Sequence, residues 1–239
     1  MKIFVINLLR STERKQKMAS QMAQADVNFE FFTAIDASND NFKGSTRAAP
    51  LITQRLKGYT LLPSEIACYA SHFALWEKCV NLNQPIVILE DNIELCSNFK
   101  LILNKASSYI ESFPYIKLSA TMKNRNFNPI QVIYEQYNIG IYSKGTQGTT
   151  AYIISPKAAQ KFIECSLQFI EPVDNFMEKP WKHGVQAYSV YPSLCNRTII
   201  ESTIGSKRKK KENLSLTRRI FIECYRGYES LMTKIYWKH

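Results

Sequence analysis

The run Ile86-Val87-Ile88-Leu89 is apolar at every position and stops abruptly at Glu90-Asp91-Asn92. A strand with no polar alternation is covered on both faces, the condition of an interior parallel strand in an α/β sheet. Such a sheet needs crossover helices. "KIFVIN" at the N-terminus reads as a buried strand, and Ser11-Thr12-Glu13-Arg14 opens a helix that continues to about Ala25. "VNFEFFTAID" returns as a second strand, parallel to the first by a right-handed crossover. Pro63 and a Ser64 cap then start a helix with a broad apolar face at Ile66, Ala67, Ala70, Phe73, Ala74 and Trp76, which delivers the chain to Ile86.

Between these elements, residues 37–63 are polar and punctuated by Gly44, Pro50 and Gly58, which predicts a long lid or binding loop. Beyond Asn92 the pattern predicts a helix near Ser97 to Ser112, a strand "YIKLSA", and strands around "IQVIYEQY" and "IGIYS". There follow a strand and a Pro156-started helix in "TTAYIISPKAAQKFIECSL", a capped turn or short helix in "PVDNFMEKPWKHG", and a strand in "VQAYSVYPS". Strands alternate with helices early and cluster late, so the fold class is α/β with a mixed sheet flanked by helices. The expected organisation is one domain over 1–204, with halves 1–119 and 120–204, and an appendage over 205–239.

A chain of 239 residues with 45% hydrophobic content buries a sizeable core. Charges interrupt the N-terminus within ten residues, and no window has the roughly 20 apolar residues of a membrane span, which predicts a cytoplasmic protein. The six cysteines have no metal-ligand spacing, so free and mostly buried thiols are expected. The net charge of +11 is uneven: the stretch after Ile204 holds ten Lys or Arg against three Glu. Placed at one end, it points to an attached surface-binding element rather than to a basic catalytic face.

Ligands of open α/β sheets bind outside the carboxyl ends of the parallel strands, where Glu90-Asp91-Asn92 falls. Hard oxygens there suit Mg²⁺ or Mn²⁺ shared with the phosphates of a nucleoside diphosphate. Capping or turning the chain is the competing role for Asp91 and Asn92.

"EIACYASHFALWEKCV" followed by "IVILEDNIEL" resembles the central signature of glycosyltransferase family 25, which includes bacterial lipooligosaccharide galactosyltransferases. "FVINLLRSTERKQKM", "FFTAIDAS", "GTTAYIISPKAAQKF" and "EPVDNFM" resemble further family blocks in the same order, extending the likeness over 1–204. The resemblance implies a GT-A-like, Rossmann-type domain and an inverting transfer of a hexose, galactose from UDP-galactose being favoured, to a lipooligosaccharide or LPS core acceptor. Glu90, Asp91 and Asn92 match an acidic triplet whose last position is usually Asp. Asn92 is therefore a departure: its amide oxygen can ligate Mn²⁺ or Mg²⁺ but brings no charge, so either the metal is held more weakly, mainly by Asp91, or metal dependence is relaxed.

Nucleotide-sugar contacts are expected from Asn7, Arg10 and Arg14 after the first strand, and from Thr33, Ala34 and Asp36 at the end of the second, with Glu90 and Asp91 between them. Ser71 and His72 match the family's Ser-His pair and line the site; a hydrogen-bonded core role is the alternative for His72. Asp174 is the candidate base, with Glu178 one turn later as its substitute and a helix N-cap as the other role for Asp174. Gly148, Thr149 and Thr150 match a block bordering the acceptor and donor pocket, where close approach to a ligand or an ordinary turn would each explain the glycine.

In the tail, Phe221, Tyr225, Tyr228, Met232, Ile235 and Tyr236 recur at helical spacing, flanked by Arg218, Arg219, Arg226, Lys234 and Lys238, with a cation run from Lys207 to Lys211. A basic amphipathic helix of this kind reads as an anchor on the anionic inner face of the cytoplasmic membrane. The alternative is packing on the domain. The rival functional classes are a non-catalytic sugar-nucleotide binder and a nucleic-acid-binding protein; against the latter, the core has no interleaved basic and aromatic repeats.

Overall fold

The computed structural model describes residues 1–38, 41–121, 125–198 and 214–236. Its centre is an eight-stranded mixed sheet. The first part is β1 (Lys2–Asn7), α1 (Thr12–Gln24), β2 (Glu30–Thr33), α2 (Pro50–Lys57), α3 (Pro63–Leu82), β3 (Ile86–Glu90), β4 (Ile93–Leu95), α4 (Phe99–Ser107) and β5 (Tyr115–Lys117). Then come β6 (Phe127–Tyr134), β7 (Tyr137–Tyr142), β8 (Ala151–Ile154), α5 (Pro156–Cys165), α6 (Val173–Met177), α7 (Pro180–His183), β9 (Tyr188–Tyr191), β10 (Cys195–Arg197) and α8 (Leu216–Tyr236). The sheet order is β2-β1-β3-β8-β5-β9-β7-β6, while β4 and β10 form a separate antiparallel pair.

β1 pairs in parallel with β2 and β3, whereas β8 runs antiparallel between β3 and β5. The carboxyl ends of β1, β2 and β3 and the amino end of β8 therefore share one edge. Alternating side chains split the interior into two layers. Ile3, Val5, Val87 and Leu89 pack with Met18 and Met22 of α1 and with Phe99 and Ile102 of α4. Phe4, Ile86 and Ile88 pack with Tyr69, Phe73 and Trp76 of α3 and with Phe162 and Phe176. With both faces covered, β3 has no polar alternation to show.

Four expectations change. Residues 37–63 are no single loop, because a 3₁₀ turn at Ser45–Arg47 and then α2 lie within them. Pro50 at the first helical turn and Gly58 as a left-handed C-cap punctuate that helix, so residues that read as loop breakers are its ends. Ser64 does not cap α3: it lies inside the first turn, and Glu65 Oε2 accepts the Leu62 N–H instead, at 2.9 Å. The strand expected through "IQVIYEQY" breaks at Glu135, whose positive φ of 43° turns β6 into β7. The cysteines are free, but two are buried, two intermediate, and Cys165 and Cys224 exposed.

The tail helix is docked. α8 lies against α2 and α7, with Ile222 buried and Tyr228 edge-on to Trp181 at 5.7 Å. A Cβ on Gly58 would meet Ile222 Cδ1 at 2.8 Å, so a glycine lets the helix approach. Lys57 pairs with Glu229 at 2.5 Å and Glu171 at 3.1 Å, while Lys179 pairs with both of the same acids. The face expected to be uniform is thus split: Tyr225 and Met232 turn toward the domain, while Phe221, Tyr228, Ile235 and Tyr236 stay exposed. Lys207 to Lys211 and Lys238 lie outside the described residues.

Candidate active site

A cavity of about 680 Å³ opens at the shared edge of β1, β2 and β3, roofed by the start of α3. Arg10, Arg14, Ala34, Asp36, Ser71 and His72 line it, together with Glu90, Asp91 and Asn92. Two of the expected nucleotide-site residues, Asn7 and Thr33, are not on its wall. Asn7, the buried last residue of β1, donates from Nδ2 to Asp91 Oδ2 at 2.6 Å and so aims that carboxylate. Thr33 ends β2 opposite Asn7, and the next residue, Ala34, donates its N–H to Asn7 O at 2.9 Å.

Asp91 is also paired with Arg14, whose nitrogen lies 3.1 Å from Oδ1, and Arg14 donates to Ser11 Oγ at 2.7 Å. Burial raises the Asp91 carboxyl above its ordinary value, although Asn7 and Arg14 both oppose the shift. Arg10 and Asp36 form an ion pair at the cavity mouth.

Glu90 is held from behind by the loop before β8. Its N–H donates to Thr150 O at 2.8 Å, and Thr149 Oγ1 donates to Glu90 Oε1 at 2.6 Å. Burial drives its carboxyl above the ordinary range, with the Thr149 hydrogen bond working the other way. Gly148, Thr149 and Thr150 therefore support the site without lining it. Gly148 has φ +78°, and a Cβ there would meet Thr121 Oγ1 at 2.2 Å, so the turn and its neighbour explain the glycine.

His72 is buried beside Glu90, with Nε2 4.0 Å from Oε1. Burial pushes the imidazole down to about 3, so it is neutral at physiological pH. Trp76 Nε1 donates to the Tyr152 hydroxyl at 3.0 Å, which leaves the phenol proton for His72 Nδ1 at 2.9 Å. That assigns the ring proton to Nε2, facing Glu90. Ser71 accepts from Ile35 N–H at 2.9 Å and donates to Ala67 O at 2.9 Å, joining α3 to the chain after β2.

The two candidate bases stand elsewhere. Asp174 is half-buried in the first turn of α6, where its Oδ1 accepts the Asn175 N–H at 2.8 Å; Pro172, not Asp174, occupies the N-cap. It does not line the cavity, yet its charge reaches Glu90. Glu178 does not line the cavity; it is buried in an ion pair through Oε1 with Lys117 at the end of β5, while its Oε2 is buried with no hydrogen-bond partner among the described residues.

Asn92 carries the fit test for a metal. Its Oδ1 is buried and has no hydrogen-bond partner among the described residues. A free amide oxygen beside Asp91 suits a hard cation that completes its shell with water and phosphate. No cluster of three or more His, Cys, Asp or Glu gathers as a closed metal site among the described residues.

Sequence reasoning missed Cys68, which lines the cavity from α3, and Arg197, which enters from β10. "CNR" is too short a strand to stand out, and its pairing with β4 is nonlocal.

The family described as "Glycosyltransferase family 25 (LPS biosynthesis protein)" matches residues 1–177, short of the expected 204. The chain is 26% identical over 216 residues to lacto-N-neotetraose biosynthesis glycosyltransferase LgtE of Neisseria meningitidis, covering 85% of this chain and 76% of that protein. It is 26% identical over 202 residues to procollagen galactosyltransferase 1 of Danio rerio, covering 78% of this chain and 32% of that protein. A probable inactive glycosyltransferase 25 family member 3 of Bos taurus is 25% identical over 219 residues, covering 82% and 36%. The chain thus spans about a third of the length of these animal relatives.

Proposed function

The chain belongs to glycosyltransferase family 25 and is by that membership a glycosyltransferase; we propose that it moves a hexose, galactose from UDP-galactose first, onto a lipooligosaccharide or LPS core acceptor with inversion. The observation that carries this reading is the cavity at the ends of β1, β2 and β3, where Glu90, Asp91 and Asn92 face Arg14 and Arg197. Its volume of about 680 Å³ falls within the range of small-ligand sites, and its charges are those that a sugar diphosphate needs.

Asp91 and Asn92 would hold Mn²⁺ or Mg²⁺, which when bound supplies positive charge against the departing diphosphate. Arg14 orients Asp91, and Asn7 holds its second oxygen. The acceptor oxygen attacks the anomeric carbon, the bond from that carbon to the diphosphate oxygen breaks, and a base takes the acceptor proton. We assign that role to Asp174, which does not line the cavity but whose charge reaches Glu90 and which has no ion-pair partner among the described residues, whereas Glu178 Oε1 is taken by Lys117. A donor panel on purified protein, with metal omitted or supplied, tests the reading. Transfer or hydrolysis of UDP-galactose above other donors is expected; turnover of no sugar nucleotide under any condition refutes it.

The acceptor is placed at the anionic inner face of the cytoplasmic membrane, with α8 as the contact. No described helix is long and apolar enough to cross a membrane. Leu216, Ile220, Leu231 and Ile235 are exposed on α8, and at 100° per residue they share an arc of about 100° pointing away from docked Ile222. Lys234 stands at one edge of that arc and Arg219 about 60° beyond it on the same side, which gives the apolar arc a basic border along one edge.

A non-catalytic sugar-nucleotide binder is the second reading, favoured by Asn92 and by likeness to a relative described as probably inactive. Donor hydrolysis with Mn²⁺ present excludes it.

A further inference from the structure

Three arginines line the cavity, and two are already matched: Arg10 with Asp36, and Arg14 with Asp91. Arg197 is exposed and has no ion-pair partner among the described residues. Its backbone is nonetheless fixed. Arg197 stands opposite Ile93 in the antiparallel β4 and β10 pair, and Thr198 donates both its N–H and its hydroxyl to Asn92 O, each at 2.9 Å. The guanidinium is thus suspended from the same short segment that forms the acidic end of β3. Its positive charge reaches Glu90 and opposes the upward push of burial there, so it bears on the cavity. An amide at position 92 brings no charge to compete for it.

We propose that Arg197 is a diphosphate-binding residue that neutralises the negative charge developing on the leaving nucleoside diphosphate. This rests on the cavity being a nucleotide-sugar site. As the acceptor oxygen bonds to the anomeric carbon, the electron pair of the breaking bond goes to the diphosphate oxygen, and the acceptor proton goes to the base. A guanidinium presents paired N–H donors to phosphate oxygens in a fixed fork. Arg197 enters from β10, apart from the Arg14–Asp91 pair, so it can turn to a diphosphate without giving up a carboxylate among the described residues. Arg197 then shares with any bound cation the work of stabilising the leaving group, beside Asn92, whose amide brings no charge.

The test is calorimetric titration of UDP and, separately, uridine into wild type, Arg197→Gln and Arg197→Lys with a chelator present, together with kcat and donor KM. Arg197→Gln should weaken UDP about tenfold to hundredfold, as expected for loss of a charge-assisted contact, while uridine stays within about twofold. The same variant should lower kcat, Arg197→Lys should recover part of both losses, and Tm should stay at the wild-type value because the side chain is exposed. Wild-type UDP affinity and kcat in Arg197→Gln overturn the proposal while leaving the nucleotide site intact, as does an equal loss of uridine binding. A wild-type protein that binds neither UDP nor, in parallel titrations, ADP or GDP, whether chelator or Mn²⁺ is present, overturns the nucleotide-sugar reading and the proposal with it.

Discussion

The cavity around Asp91 and the seam beneath α8 both hold charge away from water, and they treat it in opposite ways. In the seam each buried carboxylate is paired with lysines, although burial still lowers Lys57 despite Glu171 and Glu229. Burial works against the ionised Glu171, but Lys179, Lys57 and Lys182 together outweigh it and hold the carboxyl below its ordinary value. In the cavity burial prevails: Glu90 and Asp91 are both raised, and among the described residues Asn92 Oδ1 is unpartnered and Arg197 has no carboxylate. Matched charge resists change and holds a helix in place. Mismatched charge is kept ready for a ligand that completes it, which is why perturbed groups collect at sites.

The largest effect is expected in the seam. Glu171→Gln leaves Lys57 and Lys179 sharing Glu229 alone and takes the carboxylate from Lys182, and should cost about 3 kcal/mol in denaturant unfolding, with the transfer rate unchanged at temperatures where the variant is folded. A loss of turnover in the folded variant would couple the seam to catalysis and erase the contrast. Next, Asp91→Ala should lower transfer by about 10²–10³-fold, the scale of removing one preorganised electrostatic group, with little change in Tm. Normal turnover by that folded variant removes Asp91 from the site.

Stability against pH should then separate the two regions by sign. Glu171, depressed in the folded state, stabilises above the ordinary carboxylate value of 4.5, and that contribution is lost as pH falls through the lower folded value. Glu90 is raised, so its contribution is full below 4.5 and lost as pH rises through the higher folded value. Glu90→Gln should accordingly raise Tm slightly at pH 7 to 8 and lose that advantage below pH 4, while transfer falls. A Tm that drops at pH 7 would mean that the ionised carboxylate is stabilising after all. The smallest effect concerns the outer face of α8. Ile220→Glu with Leu231→Glu should reduce flotation on anionic liposomes severalfold without changing Tm, since both residues are more than half exposed. Unchanged flotation rules out this face as the contact.

The strand and helix pattern was legible wherever periodicity is local. "KIFVIN", "IVILE" and the apolar face of α3 each state their burial in consecutive residues, and the Glu90-Asp91-Asn92 break marks the edge at which the cavity opens. α2 was hidden because its Pro50 and Gly58 look like loop breakers when their place at helix ends is unknown. Asp174 read as the base, with Glu178, four residues on, as its substitute. Lys117, 61 residues upstream of Glu178, separates them by occupying Glu178 in a buried pair.

The order of residues thus settled the layered α/β core, the position of the acidic strand end and the helical character of the tail, because hydrophobic period and capping act between near neighbours. Tertiary contact decided which charges remain free. Whether Arg197 faces the cavity depends on β10 meeting β4, and whether α8 is docked depends on Lys57, Glu171 and Lys179 converging with Glu229. A charge acquires its role from what stands within a few ångströms of it, and those neighbours come from distant parts of the chain.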